Sequence, residues 1–238
     1  MNRIFILTKK ELSSYFNSPL GYIVASVFLV ASGWMFMQGF FISGQASMRS
    51  FFALMPIILL FILPAVTMSS WAEEKRSGTV EVLLTLPLEN IQVVLGKFFS
   101  AFAFLATLLA LTLSIPFMLG QIGEPDQGVV LAGYLGTLFL GAAYIAIGLW
   151  VSSVTKNQIL SFLLALVVIF VFYIVGSSLL LDAMPTMVAY LGKNLSLATH
   201  FNSILRGVLS IKDLIYYISV VVFFLFLNVR AVGEKNWR

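Results

Sequence analysis

A short charged segment follows the second long apolar run of the chain and has the composition of a binding surface. Its members are, in order, Glu73, Glu74, Lys75 and Arg76. Gly78 is suited to end one helix, and Thr79 can begin another that carries Glu81 and Leu84. A helix with charges at one end and an apolar stripe needs a cover for the stripe, either lipid headgroups or a partner protein. A solvated loop with charged ends is the alternative, and the segment by itself leaves both open.

Side chains that could carry catalysis are scarce. The chain has no cysteine, which excludes disulfides, thiolate zinc sites and cysteine nucleophiles. For the single histidine, His200, a structural hydrogen bond is the expected role, and pH sensing or substrate contact are the alternatives. No ionisable residue lies at the centre of a long apolar run, which disfavours a proton relay or a membrane-embedded enzyme. We therefore expect no catalytic, cofactor-binding or metal-ligating residue.

A nucleotide site is not expected on this chain either. Gly123 and Gly128 have the spacing of the two P-loop glycines, but Val129 and Val130 follow where a P-loop needs lysine and a hydroxyl residue. If ATP powers this protein, we expect another chain to bind it.

The elements that position these residues follow from an apolar composition. Of 238 residues, 60% are hydrophobic and 10% are charged, whereas soluble domains carry about 25% charged residues. Lipid can cover such a surface, and uncharged segments in lipid must be helices because their backbone groups find no water. The sequence predicts one all-α polytopic membrane domain over residues 1–238, with six transmembrane helices. The predicted spans are 20–42, 51–71, 94–119, 129–154, 159–181 and 214–229.

Basic residues set the predicted orientation. An even number of spans puts both termini on one side of the membrane. That side would hold Arg3, Lys9, Lys10, Lys75, Arg76, Lys97, Lys156, Arg230, Lys235 and Arg238, and the other Arg49, Lys193, Arg206 and Lys212. The positive-inside rule then makes both termini and the connection 72–93 cytoplasmic.

Three further segments have distinctive patterns. Residues 1–18 have apolar side chains mostly on one side of a helix, which predicts a helix lying in the membrane interface. The external connection 182–211 is too apolar to float in water, so we expect short re-entrant helices there. Small residues recur in the fourth run at close-packing spacing, and we expect them to pack within the subunit, with contact between subunits as the alternative.

The charged segment and the C-terminal region together resemble a known family. The residues that carry the resemblance are 73–84 with Pro87, and His200, Phe201, Arg206, Gly207, Val208, Asp213, Asn236, Trp237 and Arg238. Segment 73–84 resembles the signature of permease subunits of ABC-2-type transporters. The C-terminal residues resemble its gliding-motility-type branch.

The resemblance implies a mode of action. In that family the loop after the second span is a coupling helix that docks on a separate ABC ATPase, which binds ATP and Mg²⁺. Two permease subunits, identical or related, form the translocation path, and in the gliding-type branch the second often carries an extracytoplasmic domain. Glu73, Glu74, Arg76, Thr79, Glu81 and Leu84 would contact the ATPase. The chain would be a non-enzymatic subunit in a bacterial inner membrane, with export as the usual direction.

The cargo and its path are less defined by the sequence. Phe36, Phe40, Phe41 and Phe52 could line an apolar path, although lipid contact and packing are the ordinary roles of phenylalanine in a membrane protein. The lack of charge inside the spans favours a hydrophobic or amphipathic cargo over a small ion. The alternative function is a membrane scaffold that recruits an ATPase without forming a path.

Overall fold

Every regular element that the structure describes is an α-helix. The computed structural model describes residues 3–43, 47–78, 89–123, 125–181 and 185–233. Within these ranges the helices are α1 Arg3–Asn17, α2 Pro19–Ser43, α3 Arg49–Thr67, α4 Ser69–Arg76, α5 Asn90–Leu111, α6 Ser114–Ile122, α7 Gln127–Val154, α8 Gln158–Ile174, α9 Ser178–Leu181, α10 Thr186–Leu195, α11 Leu197–Ile204 and α12 Ile211–Gly233.

Five helical segments of the described ranges are long and apolar enough to cross a membrane. They are Pro19–Phe41, Arg49–Arg76, Asn90–Ile122, Gln127–Val154 and Ile211–Gly233. The all-helical, polytopic prediction is therefore confirmed. Helix α8 has 17 residues, which at 1.5 Å per residue rise about 25 Å against about 30 Å of hydrocarbon. The predicted fifth span, 159–181, is interrupted, because a turn after Ile174 separates α8 from α9.

Contacts between helix termini define two ends of the molecule. We call one the Lys97 end, where the described contacts include Leu7 with Gly96, Ser152 with Met68, Gln158 with Glu73, and Gly233 with Asn90. We call the other the His200 end, where they include Gly39 with Ser50, Thr112 with Tyr134, Gly207 with Val129, and Gly176 with Ser196. Helices α2, α3, α5, α7, α8 and α12 run alternately between these two ends.

Helix α7 lies at the centre of this arrangement and packs against α3, α5, α8 and α12. Its glycines face bulky side chains of these and other neighbours. A Cβ on Gly141 would lie 2.2 Å from Leu105 Cδ2, and one on Gly136 would lie 2.5 Å from Ile204 Cγ2. The small residues of the fourth run therefore allow close helix packing within the subunit, as the sequence predicted.

Candidate functional site

The charged segment forms the last turns of helix α4, which follows α3 after a turn at Met68. Helix α4 covers Ser69–Arg76, and Gly78 follows with φ of +71°, in the left-handed region that glycine tolerates. Glu73 Oε1 lies 3.6 Å from an Arg76 guanidinium nitrogen. Glu73 Oε2 also accepts a hydrogen bond from the Gln158 side-chain amide at the start of α8. Arg76 is mostly exposed, with 72% of its side-chain surface accessible.

Behind this exposed pair, a buried lysine joins three helices. Lys97, near the start of α5, is only 2% exposed. Its ammonium group donates to Glu74 Oε1 at 2.6 Å and to the Ser70 carbonyl at 2.9 Å, and lies 3.5 Å from Glu11 Oε2 on α1. The ammonium also lies 5.0 Å from the ring centre of the fully buried Trp71. Because a buried charge is stable only when paired and hydrogen-bonded, these partners explain how Lys97 is tolerated there.

We call the contacts of Lys97 with Glu74, the Ser70 carbonyl and Glu11 the Lys97 junction, or charged junction. Helix α1, which carries Glu11, is the third helix of this junction, beside α4 and α5. Its residues at helical spacing that face the bundle are Ile4, Leu7, Thr8, Glu11, Leu12 and Tyr15, while Phe5 and Ile6 are exposed. Leu7 packs on Gly96, where a Cβ would approach to 2.8 Å, so the glycine permits close contact of α1 and α5. The Tyr15 hydroxyl lies 3.3 Å from Ser70 Oγ, and burial raises the pKa of Tyr15 to about 12.

Helix α7 supplies the hydrogen bonds that begin α4. The residue before α4, Met68, has no side chain that can cap the helix. Instead Ser152 Oγ accepts from the amide N–H groups of Trp71 and Ala72, at 3.1 and 3.2 Å, and donates to the Met68 carbonyl. Ser152 therefore acts as an N-cap from another helix and fixes the charged helix α4 to the core.

The structure brings together part of the predicted contact surface. Glu73 and Arg76 are accessible, whereas Glu74 is turned toward Lys97 and its side chain is 22% exposed. Thr79, Glu81 and Leu84 lie outside the described residues. From the sequence alone Lys97 was predicted only as a cytoplasmic charge, and Glu11 was not connected with it. The available signal was a single lysine inside an otherwise apolar run, close along the chain to paired glutamates.

The four candidate path phenylalanines lie along one series of aromatic contacts. Phe40 contacts Phe41 and Phe36, with ring centres 5.6 and 6.0 Å apart, and Phe36 contacts Phe52 through Phe51. Phe41 is 75% exposed, whereas Phe52 is fully buried. Phe36, Phe40 and Phe41 line an apolar cleft of about 320 Å³ between α2 and α6. Phe52 instead packs against Tyr134 and Gly133 of α7.

At the opposite end, the only histidine forms the structural hydrogen bond expected of it. His200 of α11 contacts Asp213, in the first turn of α12, with Nδ1 and Oδ1 2.6 Å apart. Both residues are buried. Among the residues that the structure describes, no group of three or more His, Asp and Glu side chains is arranged to hold a metal ion.

The long apolar helices define an integral membrane protein, and the charged junction lies at one end of its helices. Comparison with family models identifies it further: residues 6–228 match the model described as ABC-2 family transporter protein. The match covers most of the chain, which therefore belongs to the ABC-2 transporter family. The chain is accordingly the membrane-spanning permease component of an ABC transporter, and permeases of this family associate with an ABC ATPase. A search of curated proteins finds no match.

Proposed function

We propose that this permease couples ATP hydrolysis by a separate ATPase subunit to movement of a cargo across the bacterial inner membrane. The observation that carries the proposal is the Lys97 junction. It ties α4, which carries the exposed Glu73 and Arg76, directly to α1 and α5. Movement of the charged segment by an ATPase would therefore be transmitted to two further helices, α1 and α5, through the direct ionic contacts of Lys97.

The proposed topology has six membrane crossings with both termini in the cytoplasm. Five segments meet the length and composition of a span, and α8 runs between the same two ends as they do. The ten-to-four charge asymmetry supports a cytoplasmic Lys97 end. Helix α1, with exposed Phe5 and Ile6 beside exposed Lys9 and Lys10, is suited to the membrane interface.

In this proposal residues 72–93 receive the ATPase, which binds ATP and Mg²⁺, and the permease itself catalyses no reaction. Glu73 and Arg76 are the accessible described members of the contact set, and Thr79, Glu81 and Leu84 complete it. Glu74 belongs to the same segment and passes its displacement to Lys97. Tilting of α5 and α1 with α4 would then change access to the path.

The path itself is proposed to form with a second permease, identical or related, and to carry a hydrophobic or amphipathic cargo outward. The apolar cleft beside Phe36, Phe40 and Phe41 supports a hydrophobic cargo, since all of its lining side chains are apolar. The contact of His200 with Asp213 is compatible with the gliding-motility-type branch. The motif residues Asn236, Trp237 and Arg238 lie outside the described residues.

Cysteine-accessibility labelling tests the topology, and the cysteine-free chain provides zero background. Ser77 is exposed at the Lys97 end, and Val208 is 61% exposed at the His200 end. A membrane-impermeant maleimide should label Val208→Cys in intact cells and Ser77→Cys only after permeabilisation. Labelling of Ser77→Cys in intact cells would overturn the coupling proposal.

Charge reversal tests the docking surface. Glu73→Lys and Arg76→Glu alter accessible side chains and spare the buried Lys97 contacts, and Lys193→Glu at the opposite end is the matched control. We expect at least a tenfold loss of co-purifying ABC ATPase for the first two variants and none for the control, as for removal of about 1.4 kcal/mol or more of contact energy. Unchanged binding would refute the contact set. If the ATPase binds the wild-type permease but its ATP hydrolysis is not stimulated, the scaffold alternative is favoured.

A further inference from the structure

The buried histidine lies between a carboxyl group and a backbone carbonyl, and the carbonyl can only accept a hydrogen bond. His200 Nδ1 lies 2.6 Å from the carboxylate oxygen Oδ1 of Asp213, and Nε2 lies 3.2 Å from the backbone carbonyl of Asn194. His200 is 7% exposed and Asp213 is 5% exposed. Water is thus largely excluded from the pair, and the two protein acceptors determine which protons the ring carries.

Counting donors gives the number of protons at this site. A neutral imidazole has one N–H, but the two acceptors require a proton at each ring nitrogen when Asp213 is ionised. The alternative with the same proton count places one proton on Nε2 and one on the Asp213 carboxyl. In either arrangement the pair holds one proton more than a neutral histidine beside a carboxylate.

Two neighbours favour the ionised arrangement. Asp213 lies in the first turn of the 23-residue helix α12, where the helix dipole stabilises an anion. The Tyr216 ring lies over the imidazole, with ring centres 4.0 Å apart and planes 16° from parallel. A cation over an aromatic face is stabilised by the ring quadrupole.

The remaining titratable groups around the pair come from each element packed near it. On α12, Lys212 is exposed and the buried Tyr217 interacts electrostatically with Asp213. On α10, Lys193 is exposed. Tyr144 of α7 and Tyr173 of α8 are within electrostatic range of each other, and Tyr144 is also within range of Tyr216. Arg206, after α11, is exposed. Asp213 is the acidic residue that directly contacts the ring.

We infer that His200 is a proton-binding site, held as an imidazolium paired with the Asp213 carboxylate. The bound proton allows His200 of α11 to keep its hydrogen bonds to both Asn194 of α10 and Asp213 of α12, and so stabilises the packing of these three helices. Loss of that proton leaves one ring nitrogen with a lone pair facing an oxygen lone pair. One of the two hydrogen bonds then breaks, and either Asn194 of α10 or Asp213 of α12 is released from the ring. This inference goes beyond the proposed coupling function and does not depend on it.

Nitrogen NMR tests the protonation state directly, because the chain has one histidine and therefore one imidazole signal set. We expect ¹⁵N-histidine-labelled protein in lipid nanodiscs to show both ring nitrogens protonated at about pH 7. Asp213→Asn removes the anion and should leave one ring nitrogen unprotonated at the same pH. An unprotonated nitrogen in the wild type, or two protonated nitrogens in Asp213→Asn, would overturn the inference.

Spin-label distances test the mechanical role. Tyr190 on α10 is 69% exposed and Ile215 on α12 is 62% exposed, so a Tyr190→Cys, Ile215→Cys pair carries labels without disturbing the core. We expect the distance distribution between the labels to broaden or shift when the pH is raised from about 7 to about 10. The same pair on a His200→Gln background, which cannot titrate, should show no such change. An unchanged wild-type distribution would refute this stabilising role, and an equal change in His200→Gln would assign it to another group.

Discussion

Replacement of Lys97 by methionine is the most informative test of the charged junction. Methionine keeps much of the apolar length of the lysine side chain but removes the ammonium group. Glu74 would lose its partner at 2.6 Å, and the Ser70 carbonyl would lose a hydrogen bond of 2.9 Å. The variant therefore isolates the charge from the packing of the side chain.

The expected cost follows from the burial of the pair. Removing one partner of a buried ion pair destabilises proteins by about 3–5 kcal/mol, because the remaining charge loses its closest opposite charge. In chains of 150–250 residues each kcal/mol shifts Tm by about 2–4 °C, which gives a fall of about 6–20 °C. Thermal unfolding in nanodiscs, followed by tryptophan fluorescence, measures this shift.

Two further variants separate the ion pair from other causes. Lys156→Met changes an exposed lysine and should leave Tm unchanged. Glu74→Gln combined with Lys97→Met removes both charges, so the double variant should be more stable than the single lysine variant. Their coupling energy should exceed about 1 kcal/mol, as for residues in one ionic network. Two results would contradict this role of the junction. One is a Tm of Lys97→Met equal to that of the wild type, and the other is additive effects of the two substitutions on the free energy of unfolding.

Two other predictions concern the same end of the molecule. Ser152→Ala removes the cap of α4 and should lower the free energy of unfolding by about 1–2 kcal/mol. Ser153→Ala is the control and should cost less, because the Ser153 hydroxyl bonds only within α7. Equal costs of the two substitutions would contradict the capping role. Tyr15 has a folded pKa of about 12 against an ordinary value of about 10, so the folded state keeps its proton longer and the resulting stability is complete below about pH 10. That stability should be lost as the pH rises from about 10 to about 12, and Tyr15→Phe should lack this part of the alkaline destabilisation in chemical unfolding measured across the range. A parallel pH dependence of the two proteins would refute the assignment.

Several features of the fold were predictable because they depend on local composition. Long apolar runs in lipid must pair their backbone groups internally, so the helices and the membrane location followed from the sequence alone. Gly78 marked the end of α4 for a similar local reason, since its left-handed φ suits glycine. The turn after Ile174 that divides the predicted fifth span was not predicted, although Gly176, Ser177 and Ser178 follow there, because small uncharged residues also occur inside membrane helices.

The candidate site was only partly predictable. The charged segment is contiguous, so Glu73, Glu74 and Arg76 could be singled out together. Lys97 could not be matched with Glu11 from the sequence, since 86 residues separate them and only helix packing brings them within 3.5 Å. The same holds for Ser152, which caps a helix 81 residues earlier in the chain.

Hydropathy and charge are properties of short stretches of chain, so the order of amino acids is enough to predict a helical membrane protein with one densely charged segment. Which of those charges face solvent and which are buried depends on how the helices pack. Glu73 and Arg76 are accessible because α4 ends at the surface, whereas Glu74 is drawn inward by Lys97. The physical reason is that a buried charge needs a partner at contact distance, and only the packing of α1, α4 and α5 supplies one.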